Sequence, residues 1–444
     1  MKGNKLYFAF VLMLVFVLVC GSLAYAKKGV RFVTDETDPE TITAFTEIID
    51  EFEKAHPDIE VIPEYVSYED IFLKVMSMVR AGMQPALFYT MAAQMVSLYK
   101  LDALEPLDDV IDALGRDDFT ANILDLATID GTVYGVPIQT GEQVLFYRSD
   151  LYGENGLEEP ANTDDVIAIA EKLTKDLDGD NNIDIYGMSI MAASEPNSQA
   201  HFIDELWRRS GYILDQKGDI AFSTLYRNES IESLNYLKKL TEYAPPGFVS
   251  HGYFEEGMNY VQGKAAMAYY PFRLVSHVRN NNPDLLEKTK AVFPPLPPKG
   301  GTKSMWGGPN VWVLFKDAPN TEEAKEFVKF FMTGANYAKF LRTVPFHLVP
   351  VRMSMMNSPE FLDDPLIKSR VDFLQLAMDS LPYVRDLSKE HPDAEVSEVV
   401  GVAYGGLSLA KNMNSFYSGQ ISAEEVLDKT AEEWLELGDW KLAE

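Results

Sequence analysis

The densest group of hard oxygen donors in the chain is Asp176-Leu177-Asp178-Gly179-Asp180-Asn181-Asn182-Ile183-Asp184. Carboxylates stand at its first, third, fifth and ninth positions, the Asn182 carbonyl is available at the seventh, and Ile183 is the eighth. This follows the first three-quarters of an EF-hand loop, where six to eight oxygens enclose a calcium ion. The candidate metal ligands are Asp176, Asp178, Asp180, Asn182 and Asp184. Two positions depart from the pattern: Asn181 replaces the turn glycine, and Gly187 stands where the bidentate glutamate belongs. An Asp/Asn/Gly turn between two elements is the other reading. Calcium here would be structural rather than catalytic.

A second kind of chemistry comes from aromatic residues set beside loops: Tyr65 and Tyr68, Phe88-Tyr89, Tyr269-Tyr270 with Phe272, and Trp306 next to Gly307-Gly308. An aromatic face beside a planar hydrogen-bonding group suits the apolar C–H face and the hydroxyls of a sugar. Core packing is the competing explanation for each ring. Gly307 and Gly308 would let backbone N–H groups approach a ligand closely.

Enzyme signatures are missing. The chain has no Gly-x-Gly-x-x-Gly after a strand, no phosphate-cradling loop and no Gly-x-Ser-x-Gly elbow. Histidines 56, 201, 251, 277, 347 and 391 show no metal-ligand spacing. A glycosidase carboxylate pair has no local signature. With 68 acidic residues, a secreted carbohydrate-active enzyme using such a pair stays as an alternative.

The only cysteine, Cys20, lies at the end of an apolar run behind Lys2 and Lys5. Tyr7–Val19 is short for a membrane span but suits a secretory signal, and Ala24-Tyr25-Ala26 supplies the small residues of a cleavage site. Residues 1–26 therefore read as a signal peptide, directing the chain to the periplasm or cell exterior. Val19 is a poor residue before a lipidated cysteine, which argues against an anchor at Cys20. The body then has no cysteine, so thiol chemistry and disulfides drop out. The formal net charge of −29 disfavours nucleic acid and anionic lipid as partners.

The positioning elements follow from periodicity. Gly29–Val33 reads as a strand. Asp38 can cap a helix beginning at Pro39 that carries Ile42, Phe45, Ile48, Ile49 and Phe52 on one stripe, and Ile59–Ile62 reads as the next strand. Such a unit builds parallel sheets. A helix is expected over Tyr68–Ala81, a strand over Ala86–Thr90, and a capping-box-like helix start at Asn320 with Glu323. With 444 residues, more than one core is expected. The reading is α/β with at least two lobes.

The order of motifs resembles the sugar-type bacterial extracellular solute-binding proteins, the maltose-binding-protein-like receptors of ABC importers. The resemblance is carried by Phe52–Val61, Leu104–Asp108, Gly131–Pro137, Phe146-Tyr147-Arg148-Ser149-Asp150-Leu151-Tyr152, Gly263–Met267, Gly307-Gly308 and Val349-Pro350-Val351-Arg352. One departure is Ala86 after Pro85, where the family usually has Asp. The resemblance implies a two-lobed type II periplasmic-binding-protein fold, each lobe a mainly parallel sheet flanked by helices, with the ligand cleft at the hinge. It places lobe one at 27–138 and 306–363, and lobe two at 139–305 and 364–444. It implies a monomer that needs no cofactor, binds a saccharide or sugar derivative and delivers it to permease subunits. The expected ligand-binding residues are Asp35, Thr37, Tyr89, Thr90, Glu142, Gln143, Tyr270, Arg273, Trp306, Gly307 and Gly308. Arg273 has a competing role in a surface ion pair.

Overall fold

A computed structural model describes residues 27–390, 401, 405–438 and 440–444. The expected signal segment and Cys20 lie outside the described residues. Strand Lys28–Thr34 runs parallel to Ile59–Tyr65 and, on its other side, to Leu87–Met91. Between the first two lies helix Pro39–Ala55, which buries Phe45, Ile48, Ile49 and Phe52, the predicted stripe. Gly82, at φ +67°, follows helix Tyr68–Arg80. Left-handed backbone there costs a glycine nothing.

The first sheet has six strands. Beyond Leu87–Met91 come Pro309–Leu314, Val136–Thr140 and Val349–Pro350, paired antiparallel. A second sheet has Gln143–Arg148 at its centre, antiparallel to both Met267–Pro271 and Thr289–Val292. The expectation of mainly parallel sheets is corrected here: among the described residues the first sheet is mixed and the second antiparallel. A chain that crosses from the other lobe enters a sheet from the hinge side, against the strands that end there.

The sheets meet where the chain crosses. Val136–Thr140 of the first sheet is followed within three residues by Gln143 of the second, and Met305–Trp306 is followed by Pro309–Leu314. Met305–Trp306 pairs with Val384–Arg385, a third backbone segment at this junction. Core packing on the first sheet is aromatic: Phe32 lies 5.3 Å from Phe45 and 5.4 Å from Trp312, both edge-on, the favoured arrangement of ring quadrupoles. The second lobe buries Trp207, Phe222, Leu234, Trp434 and their neighbours in a separate core. Among the described residues, no helix is long and apolar enough to cross a membrane.

Two capping expectations are overturned. Asp38 makes no cap hydrogen bond to the helix after it, because Arg273 takes its carboxylate. Asn320 is left-handed at φ 63° and donates its amide to the Gly29 carbonyl (2.8 Å) rather than capping, while Glu323 pairs with Lys28 (2.6 Å).

Candidate functional site

The loop after the first strand carries Asp35, Glu36, Thr37 and Asp38, at the carboxyl end of a parallel strand, where open α/β sheets bind ligands. Thr37 is exposed and Asp35 half-buried. Glu36 is buried, with its N–H donating to Thr34 Oγ1 (3.1 Å). From the neighbouring strand, the Tyr89 hydroxyl donates to Glu36 Oε1 (3.0 Å), and Gln139 Nε2 donates to the Tyr89 oxygen (3.1 Å). A line of three buried side chains results. Thr90, beside Tyr89, donates its hydroxyl to Gln94 (2.6 Å).

Arg273 reaches this line from the opposite lobe. Its Nη2 lies 3.2 Å from Glu36 Oε2, and its Nη1 pairs with Asp38. The Arg273 side chain is only 16% exposed and Glu36 only 5%, so this is not a surface pair but a largely buried bridge between lobes. Burial opposes the charge on Arg273, yet Glu36, Tyr253 and Asp38 outweigh it and hold the guanidinium firmly protonated. Removing one partner of such a pair leaves the other uncompensated, at a cost of about 3–5 kcal/mol.

At the crossings, three backbone segments come together. A Cβ on Gly307 would meet the Gly141 carbonyl at 2.6 Å, and one on Gly308, at φ +117°, would meet Asp386 Oδ2 at 2.9 Å. These glycines are therefore explained by close packing at the hinge, Gly307 against the Gly141 backbone and Gly308 against the Asp386 side chain, and the Gly307 N–H, expected to face a ligand, donates to the Arg385 carbonyl (3.2 Å). Gly141 lies against the His347 ring, 2.8 Å from where its Cβ would stand. Burial, with Arg273 and His277, keeps His347 well below the usual imidazole range, and its Nδ1 has no hydrogen-bond partner.

Glu142 follows Gly141 and is fully buried, with neither carboxylate oxygen hydrogen-bonded among the described residues. Burial pushes its carboxyl well above the ordinary range. Asp386 is also buried and is pushed up to about 6; its Oδ1 accepts from the Ser388 N–H (2.7 Å), whereas Oδ2 has no partner. Gln143 turns the other way, donating to the Tyr269 carbonyl (3.4 Å).

The second lobe contributes Tyr270, stacked on Tyr253 with centroids 4.6 Å apart. Among the described residues its hydroxyl, beside Tyr253, makes no hydrogen bond. Gly257 makes room for it: a Cβ there would lie 2.8 Å from the Tyr270 ring. Next to Gly257, Glu256 is fully buried with both oxygens unpartnered, and His201 Nε2 stands 3.7 Å away. Burial and Arg208 bring His201 down to about 3, while burial and Glu195 push Glu256 well up. This couple is neutral rather than an ion pair. Trp306 lies apart from these groups, stacked on Trp207 at 5.5 Å within the second lobe's core.

Of the expected ligand residues, the structure gathers Glu142, Tyr89, Tyr270 and Arg273 around the lobe junction. It adds Glu36, Gln139, His201, Glu256, His347 and Asp386, which no motif marked. One signal was present: helix Pro196–Arg208 is buried from Ser198 to Arg208 although it carries Gln199, His201, Asp204, Glu205 and Arg208. Apolar periodicity cannot announce a buried helix built this way.

In the Asp-rich loop, carboxylate oxygens of Asp176, Asp178 and Asp184 lie within 4.8 Å of one another. Asp180 and Asn182 pair with each other instead (2.8 Å). Asp176 accepts from the Gly179 and Asn181 N–H groups, and Asp184 from that of Leu177, all at 2.7–2.8 Å. Asn181 adopts φ 70° in the glycine position, which asparagine tolerates. A Cβ on Gly187 would stand 1.9 Å from the Ala170 carbonyl, so packing against helix Thr163–Leu173 leaves no room for the twelfth-position glutamate.

Residues 47–369 match the family model described as bacterial extracellular solute-binding protein. The chain is 25% identical over 327 residues to the arabinooligosaccharide-binding protein of Bacillus subtilis, covering 72% of this chain and 71% of that one. It is 23% identical over 405 residues to the mannitol-binding protein of Pseudomonas aeruginosa, covering 85% and 86%. Among solved structures, a solute-binding protein of Agrobacterium radiobacter in complex with ribitol superposes with TM-score 0.77 at 20% identity, covering 93% of this chain and 99% of that one. A maltose-bound protein of T. maritima gives 0.76 at 18%, covering 92% and 100%.

Proposed function

This chain belongs to the bacterial extracellular solute-binding protein family, and from that premise we propose that it captures a saccharide or sugar derivative between its lobes and hands it to the permease of an ABC importer. The observation that carries this is the set of buried polar atoms where the sheets meet that have no partner among the described residues: Gln139 Oε1, both oxygens of Glu142, His347 Nδ1 and Asp386 Oδ2. An unpartnered buried polar group costs about 1–3 kcal/mol. Several at one junction are stabilised together by a ligand rich in hydroxyls. Relatives named for arabinooligosaccharide and mannitol, and similar structures holding ribitol and maltose, support the same class of solute. The family is one of binding proteins, and the enzyme alternative finds no support in the match.

In this reading Glu142 and Gln139 accept sugar hydroxyls, Tyr270 and Tyr253 offer a ring face, and Arg273 closes on Glu36 and Asp38 as the lobes meet. Asp35, Thr37 and Thr90 flank the same edge. We take the first lobe to run to Thr140 and to resume at Pro309, the ends of the strands that join its sheet. Residues 1–26 act as a cleaved export signal, and the exported chain works as a monomer. Calorimetry against a panel of sugars and polyols tests the proposal: tight one-to-one binding without product is expected, and turnover or the absence of any binding overturns it.

The converging carboxylates of Asp176, Asp178 and Asp184 hold a structural calcium ion. Addition of a chelator is expected to lower the melting temperature and calcium to restore it; identical melts refute the loop's role.

A further inference from the structure

The proposed saccharide reading leaves open what the ligand presents to the second lobe, and there the buried groups are unbalanced in sign. Among the described residues, Glu256 has no hydrogen bond to either oxygen and no cation set against it. His201, 3.7 Å away, is held neutral and supplies no counter-charge. Arg208 is committed to Asp204 and Glu205. Arg273, the cation reaching across the lobes, is taken by Glu36 and Asp38. A second carboxylate, Glu195, adds to the negative field at Glu256. Beside it stands the Tyr253–Tyr270 stack, brought against the helix by the missing side chain of Gly257.

A buried carboxylate without a partner either stays protonated or takes a cation and its N–H donors. Paired with an aromatic face, it forms an ammonium receptor, since the ring quadrupole and the carboxylate attract the same charge. An anionic sugar would meet the opposite: among the described residues Arg208 and Arg273 are already paired with carboxylates, and Gln139 and Glu142 add further unpartnered acceptor oxygens.

Resting on the saccharide reading, we propose that Glu256, with Tyr270 and Tyr253 beside it, receives a protonated amine of the ligand, so that the solute is an aminated saccharide rather than an acidic or uncharged one. The ammonium donates to both oxygens of Glu256, and its charge replaces the proton that the ligand-free carboxyl otherwise keeps.

Calorimetry on the exported chain tests this with mono- and disaccharides in four forms: neutral, 2-amino, N-acetylated 2-amino and carboxylated. The amine is expected to bind about tenfold or more tighter than its neutral parent, the N-acetyl form to lose that advantage, and the carboxylated form to bind weakest. Glu256→Gln is expected to bring the amine-to-neutral ratio close to one. The comparison of amine with N-acetyl amine uses the unmutated chain and does not depend on the variant's folding. Equal or tighter binding of the neutral parent, or a ratio that survives Glu256→Gln, overturns the amine inference and leaves the saccharide reading standing. Binding by no form at all overturns both.

Discussion

Glu36 and Glu142 are both buried carboxylates at the lobe junction, 5% and 0% exposed, yet their surroundings are opposites. Glu36 receives the Tyr89 hydroxyl and the Arg273 guanidinium; Glu142 receives nothing. Glu256 in the second lobe resembles Glu142. The difference divides the junction into a part whose polar groups are satisfied within the protein and a part whose groups wait for a partner. A satisfied network fixes geometry, since each member holds its neighbour in one rotamer. An unsatisfied buried group destabilises the fold, and its use lies in the molecule that completes it. The first-lobe wall is therefore read as a latch and a template, and the hinge and second-lobe wall as the receptor surface.

The largest effect comes from breaking the satisfied side. Arg273→Ala leaves Glu36 and Asp38 without their cation and removes the contact that joins the lobes. A loss of about 3 kcal/mol, on the order of 100-fold in ligand affinity, is expected by calorimetry. A change of less than about threefold would show that closure does not depend on this bridge.

Asp386 stands between the two classes, with one oxygen held by Ser388 and the other free. Burial pushes it up to about 6, so the folded chain binds this proton more tightly than the unfolded chain. Its contribution is full below about pH 4 and is lost as the pH rises through about 6, a change of about 2–3 kcal/mol. Asp386→Asn removes that slope. Denaturant melts of both proteins should show the variant gaining on the parent across this window, and a constant difference would contradict the assignment.

The sequence made the satisfied elements easier to foresee than the unsatisfied ones. The apolar stripe of helix Pro39–Ala55 is a local pattern, and Phe45, Ile48, Ile49 and Phe52 are buried as their spacing requires. Tyr89 lies near the end of a strand of the first sheet, a position that the local pattern marks. Capping at Asp38 and Asn320 was misread for one reason: a partner distant in sequence, Arg273 in one case and the Gly29 carbonyl in the other, competes better than the helix N-terminus. Glu256 and His347 carried no local mark at all, because their character depends on what fails to reach them. The sequence marks Gly307 and Gly308 as places where a ligand could approach closely, whereas the atoms that approach them here belong to Gly141 and Asp386. Composition cannot distinguish a glycine that admits a ligand from one that admits another strand.

The smallest effects give the sharpest test, because the two regions should respond with opposite signs in the ligand-free protein. Tyr89→Phe deletes the hydroxyl that donates to Glu36 and accepts from Gln139. Two buried groups then lose a partner, and a destabilisation of about 1–2 kcal/mol is expected. Glu142→Gln keeps the shape of a side chain that has no partner to lose and replaces a carboxyl held well above its ordinary range by an uncharged amide. Above the ordinary carboxylate range the parent bears the cost of keeping that group protonated or burying its charge, and the variant does not. At pH 7 the ligand-free variant should therefore be as stable as the parent or more so, although it binds ligand less tightly. Melting curves and calorimetry on the same samples separate these outcomes. If Glu142→Gln destabilises the empty protein as Tyr89→Phe does, Glu142 belongs to the fold and not to the receptor surface.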